Sequence, residues 1–382
     1  MIRFALPLLL SVAACSPPSA DIVPDPKPTP SPTPVATPPA ESTPAETSME
    51  NATDPMLVSE PGPVVTDTGA VPKQGVLKTF GDWTVGCDNG LRCTFASLLP
   101  EQGEADNVTL NIVREGDGET KVYIDSRDEA IRPASLWVDG KQIATKLTRE
   151  SSLAIAQALP TGRRLELRGR EDKAVATISL KGAAAAMRYA DAVQGRAGTP
   201  DALVAKGRAT RVVEAPPLPV IVAPAITGDA AKPTAAQLAT MRKQAKCDLL
   251  DDKTGVFSPE AHAVGGGKTL VILPCSTGAY NMTGALFVID GKSVLPAKVD
   301  APSGFDESGA ESPAAVRSVV NGSFADGVLG SYAKGRGIGD CGVQQSFVWD
   351  GTKLRLSEQS AMGECRGNPN YIMTWRAQVV RR

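Results

Sequence analysis

The sequence is short of the residues on which most enzyme chemistry depends. It holds one histidine in 382 residues, and only 4% of its residues are aromatic. A lone His262 cannot build a three-histidine metal site or a pair of imidazoles sharing acid and base roles. Formal net charge is −2, so no broad basic surface for nucleic acid is expected. No apolar run reaches the ~18 residues of a membrane-spanning helix. No Cys-x-x-Cys pair occurs, which removes the usual zinc and redox-active patterns. Proline, by contrast, is plentiful, and fifteen of the 31 prolines fall between Ser16 and Gln74.

The N-terminus reads as a targeting segment over residues 1–14. Arg3 supplies the positive charge, and Phe4 to Ala14 is apolar but too short to span a bilayer. The stretch ends in Val12-Ala13-Ala14-Cys15, which resembles the lipobox of bacterial lipoproteins. That resemblance implies lipid on the Cys15 thiol, palmitate among its acyl chains, and cleavage that makes Cys15 the new N-terminus. Each buried CH₂ contributes ~0.8 kcal/mol, so several chains together hold firmly. Ser16 follows, where Asp usually marks inner-membrane retention, so the expected location is the outer membrane, facing the periplasm rather than the cell surface. Residues 16–75 have no aromatic residue and a net charge of −6. Such a composition cannot bury enough apolar surface to offset its ordering entropy. The expectation for 15–75 is a disordered, partly polyproline tether, ~190 Å long if fully extended.

If Cys15 carries lipid, six cysteines remain: Cys87, Cys93, Cys247, Cys275, Cys341 and Cys365. An even number in an exported chain points to disulfides. Fifteen connectivities exist for six cysteines; proximity favours Cys87–Cys93, Cys247–Cys275 and Cys341–Cys365. Metal ligation is the alternative, disfavoured by the missing second histidine.

Residues 76–382 carry +3 and suffice for two domains. Period-two alternation marks strands at 77–85, 91–99, around Val108-Leu110-Ile112 and Val122-Ile124, and at 165–168 and 175–180. Asp139-Gly140, Asp290-Gly291, Asn321-Gly322 and Asp350-Gly351 each lie between apolar runs and read as hairpin turns. Helices are expected at 183–194, ended by Gly195, and from Thr234 to Asp248. The fold class is therefore mainly β with a few helices (α+β). Two antiparallel β-rich domains, 76–205 and 234–382, are expected around a Pro-rich connection at 206–233.

Candidate chemistry is thin. Gly265-Gly266-Gly267-Lys268-Thr269 suggests a phosphate loop, but His262 occupies its first glycine position and a strand follows, so a turn is expected. Ser331-Tyr332-Ala333-Lys334 and Lys253-Thr254-Gly255 match motifs of penicillin-binding enzymes in reversed order, and read as coincidence. No Gly-x-Ser-x-Gly elbow accompanies His262. The carboxylate clusters Asp248, Asp251, Asp252 and Asp306, Glu307 read as solvated turns, and remain candidates for glycan hydrolysis. Trp83, Trp137, Trp349 and Trp375 read as core. No catalytic, metal or cofactor-binding set is expected.

Several motifs recur in one order: Phe80-Gly81-Asp82-Trp83-Thr84-Val85-Gly86-Cys87-Asp88-Asn89 with Cys93; Gln194-Gly195-Arg196-Ala197-Gly198-Thr199; Gly339-Asp340-Cys341-Gly342; Phe347-Val348-Trp349-Asp350-Gly351; and Met362-Gly363-Glu364-Cys365-Arg366-Gly367 before Trp375-Arg376. Together they resemble the exported bacterial family named only as domain of unknown function 1176, over about 76–382. The opening motif with Ile178-Ser179-Leu180-Lys181-Gly182 also resembles the invasion-associated locus B family, which implies an envelope protein with a role in host contact. Neither resemblance supplies catalytic residues; both reinforce a disulfide role for the cysteines. The sequence thus points to a lipid-anchored, non-enzymatic envelope module that binds an envelope protein or polymer, with no nucleic acid. The alternatives are an envelope hydrolase acting on peptidoglycan or glycan through carboxylates, and a surface factor in host contact.

Overall fold

Valine, isoleucine and threonine at alternate positions favour extended chain, and among the described residues strands far outnumber helices. The computed structural model describes residues 65–101, 106–129, 131–211, 213–247, 257–301 and 316–382. Cys15, the Lys253-Thr254-Gly255 motif and the carboxylates Asp248, Asp251, Asp252, Asp306 and Glu307 lie outside the described residues.

The first sheet runs in sequence order: β1 (Lys78–Phe80), β2 (Trp83–Cys87), β3 (Cys93–Ser97), β4 (Val108–Arg114) and β5 (Thr120–Ser126). The single strand expected over 77–85 is in fact a hairpin. Gly81 adopts φ +58°, and the chain reverses there so that Phe80 pairs with Trp83. A second sheet has the order β7-β6-β8-β9, built from β6 (Ser135–Val138), β7 (Lys141–Ala144), β8 (Arg164–Arg168) and β9 (Ala174–Ser179). Helix α1 (Arg149–Ala158), absent from the sequence reading, is entered through a Thr148/Ser151 capping box. Helix α2 (Ala183–Val193) matches the expected span, and Gly195 takes φ +68° just beyond it. A core of Trp83, Val85, Phe95, Leu110, Ile112, Ile155, Leu165 and Met187 fills the space between these sheets and helices.

Strand β10 (Val220–Ala223) lies inside the expected proline-rich connection. It pairs in parallel with the last strand, β21 (Gln378–Arg381). A partner so remote in sequence leaves no local pattern, and flanking prolines hide the short Val-Ile-Val run. Helix α3 (Ala235–Ala245) carries the expected Thr234 cap, reciprocated by Gln237. Next comes a sheet of β11 (Glu260–Gly265), β12 (Lys268–Thr277), β13 (Met282–Asp290), β14 (Ser293–Pro296) and β15 (Ser318–Val320). The final large sheet holds β16 (Ser323–Ala325), β17 (Val328–Lys334), β18 (Gly342–Trp349), β19 (Leu354–Met362) and β20 (Ile372–Arg376).

Three of the four expected turns close hairpins: β6–β7, β13–β14 and β18–β19. Asn321-Gly322 does not. Its two flanking strands belong to different sheets, since β15 pairs with β13 and β16 with β17. Asn321 is a junction: its side chain accepts from Met282 N at 2.9 Å and donates to Tyr332 O at 2.8 Å.

The described chain also begins before residue 76. Residues 67–75 run extended against the strands that follow β10 and precede the C-terminus. Arg355, 6% exposed, pairs with Asp300 at 2.6 Å and with Asp67 at 3.4 Å, and it donates to Ala70 O at 3.0 Å. Gly75 N donates to Thr374 O at 2.8 Å. These contacts fall at residues 67–75, inside the span expected as tether, because polar backbone pairing needs no apolar side chains.

Candidate functional site

All six expected cysteines pair as proximity suggests: Cys87–Cys93, Cys247–Cys275 and Cys341–Cys365. The first joins the directly opposed ends of β2 and β3. The second anchors the end of α3 to β12, beside a core of Met241, Val271, Leu273 and Phe287. No group of three or more His, Cys, Asp or Glu among the described residues is arranged to hold a metal.

The motifs singled out in the sequence are joints of the fold. Asp82 pairs with Arg366 at 2.5 Å and accepts from Ser179 Oγ at 2.7 Å, so the first, fifth and locus B-like motifs meet there. Arg366 also donates to Leu99 O at 2.8 Å. Asp88 pairs with Arg376, and Asn89 exchanges two hydrogen bonds with the Arg376 backbone, at 2.9 and 2.8 Å. Ala96, Leu98, Cys341, Met362 and Ile372 form a small core along the same seam. In the Gln194–Thr199 motif, Gln194 donates to Leu91 O at 2.7 Å and Arg196 to Gly116 O at 2.7 Å. These residues clamp the end of α2 onto the β4–β5 hairpin.

The catalytic candidates separate. Ser331 is 3% exposed, and its Oγ accepts from Val320 N at 3.1 Å. Lys334, three residues along the same strand, faces the other side of the sheet and lies over the Tyr332 ring at 5.4 Å. Gly265-Gly266-Gly267 is the tight turn between β11 and β12. Trp83, Trp349 and Trp375 are buried core, while Trp137 stacks beneath Arg168 at 4.1 Å.

His262, by contrast, stands in a place worth building up. It sits on β11 and stacks on Phe324 of β16, with ring centroids 4.5 Å apart and planes 20° apart. Glu260 Oε2 lies 3.2 Å from His262 Nε2. His262 and Phe324 line a cleft of about 680 Å³ with Ile226, Asp326 and Arg381. A second cleft, of about 500 Å³, shares Asp326 and Arg381 and continues past Ser346 and Glu358. The two clefts adjoin at Asp326 and Arg381 and are called the groove below. Strand β21 forms a wall of it through Val379 and Arg381, and the Asp326-Gly327 turn projects into it. Arg381 is held by the carbonyls of Asp326 and Gly327, at 3.2 and 3.0 Å. Among the described residues none of Arg381, Asp326 and Glu358 has an oppositely charged side chain within ion-pair distance. The groove thus offers a flat stacked platform, a guanidinium with donors to spare, two carboxylates and a serine hydroxyl. Sequence reasoning gave His262 no site role and missed the rest, because five separate strands and a turn bring these residues together.

The sequence profile described as protein of unknown function (DUF1176) matches residues 77–379. The chain is similar to the uncharacterized protein YpfG of Escherichia coli (strain K12), 26% identical, with 78% of this chain and 90% of that protein covered. No solved structure matches it. The joints that hold the seam are the very motifs that run through 77–379, and the chain belongs to the DUF1176 family.

Proposed function

We propose that the protein is a lipid-anchored, non-enzymatic binding module of the cell envelope whose groove takes a polar polymer strand, a glycan of the peptidoglycan type. The observation that carries the reading is the pair of adjoining clefts that share Arg381, with the His262–Phe324 stack in one and Ser346 and Glu358 in the other. Pyranose rings present an apolar face of C–H bonds that rests on aromatic planes, and hydroxyls at their edges that bond to charged side chains. Concave sites with a few convergent polar groups suit such ligands.

Cys15 and the proline-rich segment support the anchored location. Mass spectrometry of the mature chain is expected to find an acylated N-terminal Cys15; an uncleaved leader with a free thiol contradicts the anchor. Calorimetric titration of the full chain with soluble glycan fragments of peptidoglycan tests the groove. Saturable binding with no bond cleaved is the expected result, and no heat at saturating fragment contradicts it. One observation favours a second reading. Asp326 and Glu358 line the same cleft, and two carboxylates flanking a sugar are the apparatus of glycoside hydrolysis. Release of reducing ends by the wild-type chain, lost in Glu358→Gln, would establish that hydrolase instead.

A further inference from the structure

One end of the β7-β6-β8-β9 sheet gathers positive charge. Leu136 of β6 pairs with Ala144 of β7, and Ser135 of β6 pairs with Arg168 of β8. The start of β6 therefore lies between the ends of β7 and β8. Arg132 precedes β6, Lys146 follows β7 and Arg170 follows β8. Three neighbouring strands span about 10 Å, so the topology brings these three cations to one end of the sheet. They line a cleft of about 820 Å³ with Thr145, Leu147 and Thr148. The backbone that carries them is fixed. Ala134 N donates to Arg168 O at 2.7 Å, Arg132 Nε to Glu129 O at 3.2 Å, and Ser151 Oγ to Lys146 O at 3.0 Å.

Among the described residues no carboxylate lines this cleft, and none lies within ion-pair distance of Arg132, Lys146 or Arg170. The nearby acids are used elsewhere. Glu166 and Asp172 pair with Arg168, and Glu171 pairs with Lys173. Glu150 is turned onto its own amide and the Thr148 hydroxyl. Glu129 offers Arg132 its backbone carbonyl. At the opposite end of the same sheet the cations do have partners: Arg164 pairs with Glu166 at 2.7 Å, and Arg163 lies 4.0 Å from Asp139. Like charges held together without a counter-charge repel, and a bound anion removes that cost.

We infer that this cleft is an anion site for the phosphomonoester of a sugar or polyol. A phosphomonoester carries nearly two negative charges at neutral pH and three acceptor oxygens. Arg132 and Arg170 supply planar forks that grip such a group bidentately, and Lys146 adds a point charge. The cleft is far larger than a lone phosphate, and Leu147, 37% exposed, offers an apolar surface to the body that carries it. A soluble sugar phosphate and a lipid headgroup present the same group, and the test separates them. None of these residues lines the groove around Arg381, so the site stands or falls independently of glycan binding there.

Two arms at constant ionic strength provide the test: calorimetric titration of the full chain with glucosyl phosphate, and its flotation with phosphatidylcholine vesicles with and without phosphatidic acid. Saturable binding is expected in at least one arm. Binding of glucosyl phosphate alone assigns a soluble sugar phosphate; capture that requires phosphatidic acid assigns a lipid headgroup. Arg132→Gln with Arg170→Gln should weaken binding at least about tenfold, the scale of one lost charge-assisted hydrogen bond. Lys141→Gln with Arg163→Gln removes the same charge about 15 Å away, at the opposite end of the sheet. That lies beyond the screening length at physiological salt, so binding should stay within about twofold. Thermal melts of both double variants check that folding is kept. Binding in neither arm, undiminished binding by Arg132→Gln with Arg170→Gln, or an equal loss in the two double variants overturns the inference. So does glucuronate binding as tightly as glucosyl phosphate.

Discussion

The end of α2 and the groove around Arg381 are built from the same residue types, yet they treat charge in opposite ways. At α2, Asp191 is 0% exposed and accepts the backbone N–H groups of Leu203, Val204 and Ala205, at 2.9, 2.8 and 3.1 Å. Arg114, 1% exposed, lies 3.4 Å from Asp191 and 3.5 Å from Asp201, and Arg196 also pairs with Asp201. Every carboxylate there is committed to a cation or to backbone. In the groove, Asp326, Glu358 and Arg381 face solvent without an ionic partner among the described residues. Buried charges must be paired because desolvation is expensive. Charges left unpaired at a concave surface cost little in water and remain available to a ligand.

The sharpest way to break this contrast is to remove Asp191. Asp191→Ala leaves buried Arg114 with only the half-exposed Asp201 as a counter-charge and orphans three N–H groups, and should cost about 3–5 kcal/mol. Urea unfolding followed by circular dichroism would read it. Glu358→Gln in the groove should stay within about 0.5 kcal/mol in the same assay, as exposed substitutions do. A large loss there would mean that the groove charges are structural after all. Removing Cys247–Cys275, whose partners are 28 residues apart, should cost about 3–4 kcal/mol by loop entropy. The Cys87–Cys93 bridge, with a separation of 6, should cost about 2 kcal/mol. Both are measured as paired alanine variants.

Acid should act on the committed carboxylates. Burial alone would push the Asp340 carboxyl up, but Arg336 and the Gly367 N–H hold it below its ordinary value of 3.8. Asp201 is lowered in the same way, against burial, by Thr199 and Arg196, and Asp67 by the Gly69 and Val222 N–H groups with Arg355. A carboxyl depressed in the fold contributes stability that is present above the unfolded pKa and lost as pH falls through the folded one. Urea midpoints should therefore hold from neutral pH down to about 4 and fall below it. Asp340→Asn should flatten that fall; an unchanged acid profile would show that Asp340 contributes nothing to it.

Much of this fold was legible because its signals are local. Gly195 after an alanine-rich run, Thr234 with Gln237, and Asp-Gly between apolar stretches each act within a few residues. The cysteine pairs were legible for the same reason. What escaped was non-local. Val220–Ala223 becomes a strand only because the C-terminal Gln378–Arg381 lies beside it. Arg149–Ala158 starts at Thr148 with Ser151, a weaker capping box than one closed by Glu or Gln. Residues 67–75 fold because Arg355 and Thr374 receive them, not because of their own composition. The groove was invisible for a similar reason: His262, Phe324, Glu358 and Arg381 are contributed by strands of different sheets. Asn321-Gly322 shows the reverse failing, a correct turn signal that joins two sheets instead of closing one hairpin.

Sedimentation of the full chain with purified peptidoglycan sacculi, wild type against Phe324→Ala, tests the binding claim most directly. Removing Phe324 takes away the ring that stacks His262 at 4.5 Å and should weaken binding about tenfold, in the range of an aromatic contact plus its buried area. Saturable pelleting of the wild type, no fragments released, and a tenfold loss in the variant are the predicted results. Equal pelleting of both chains, or none by either, would contradict a polymer-binding groove.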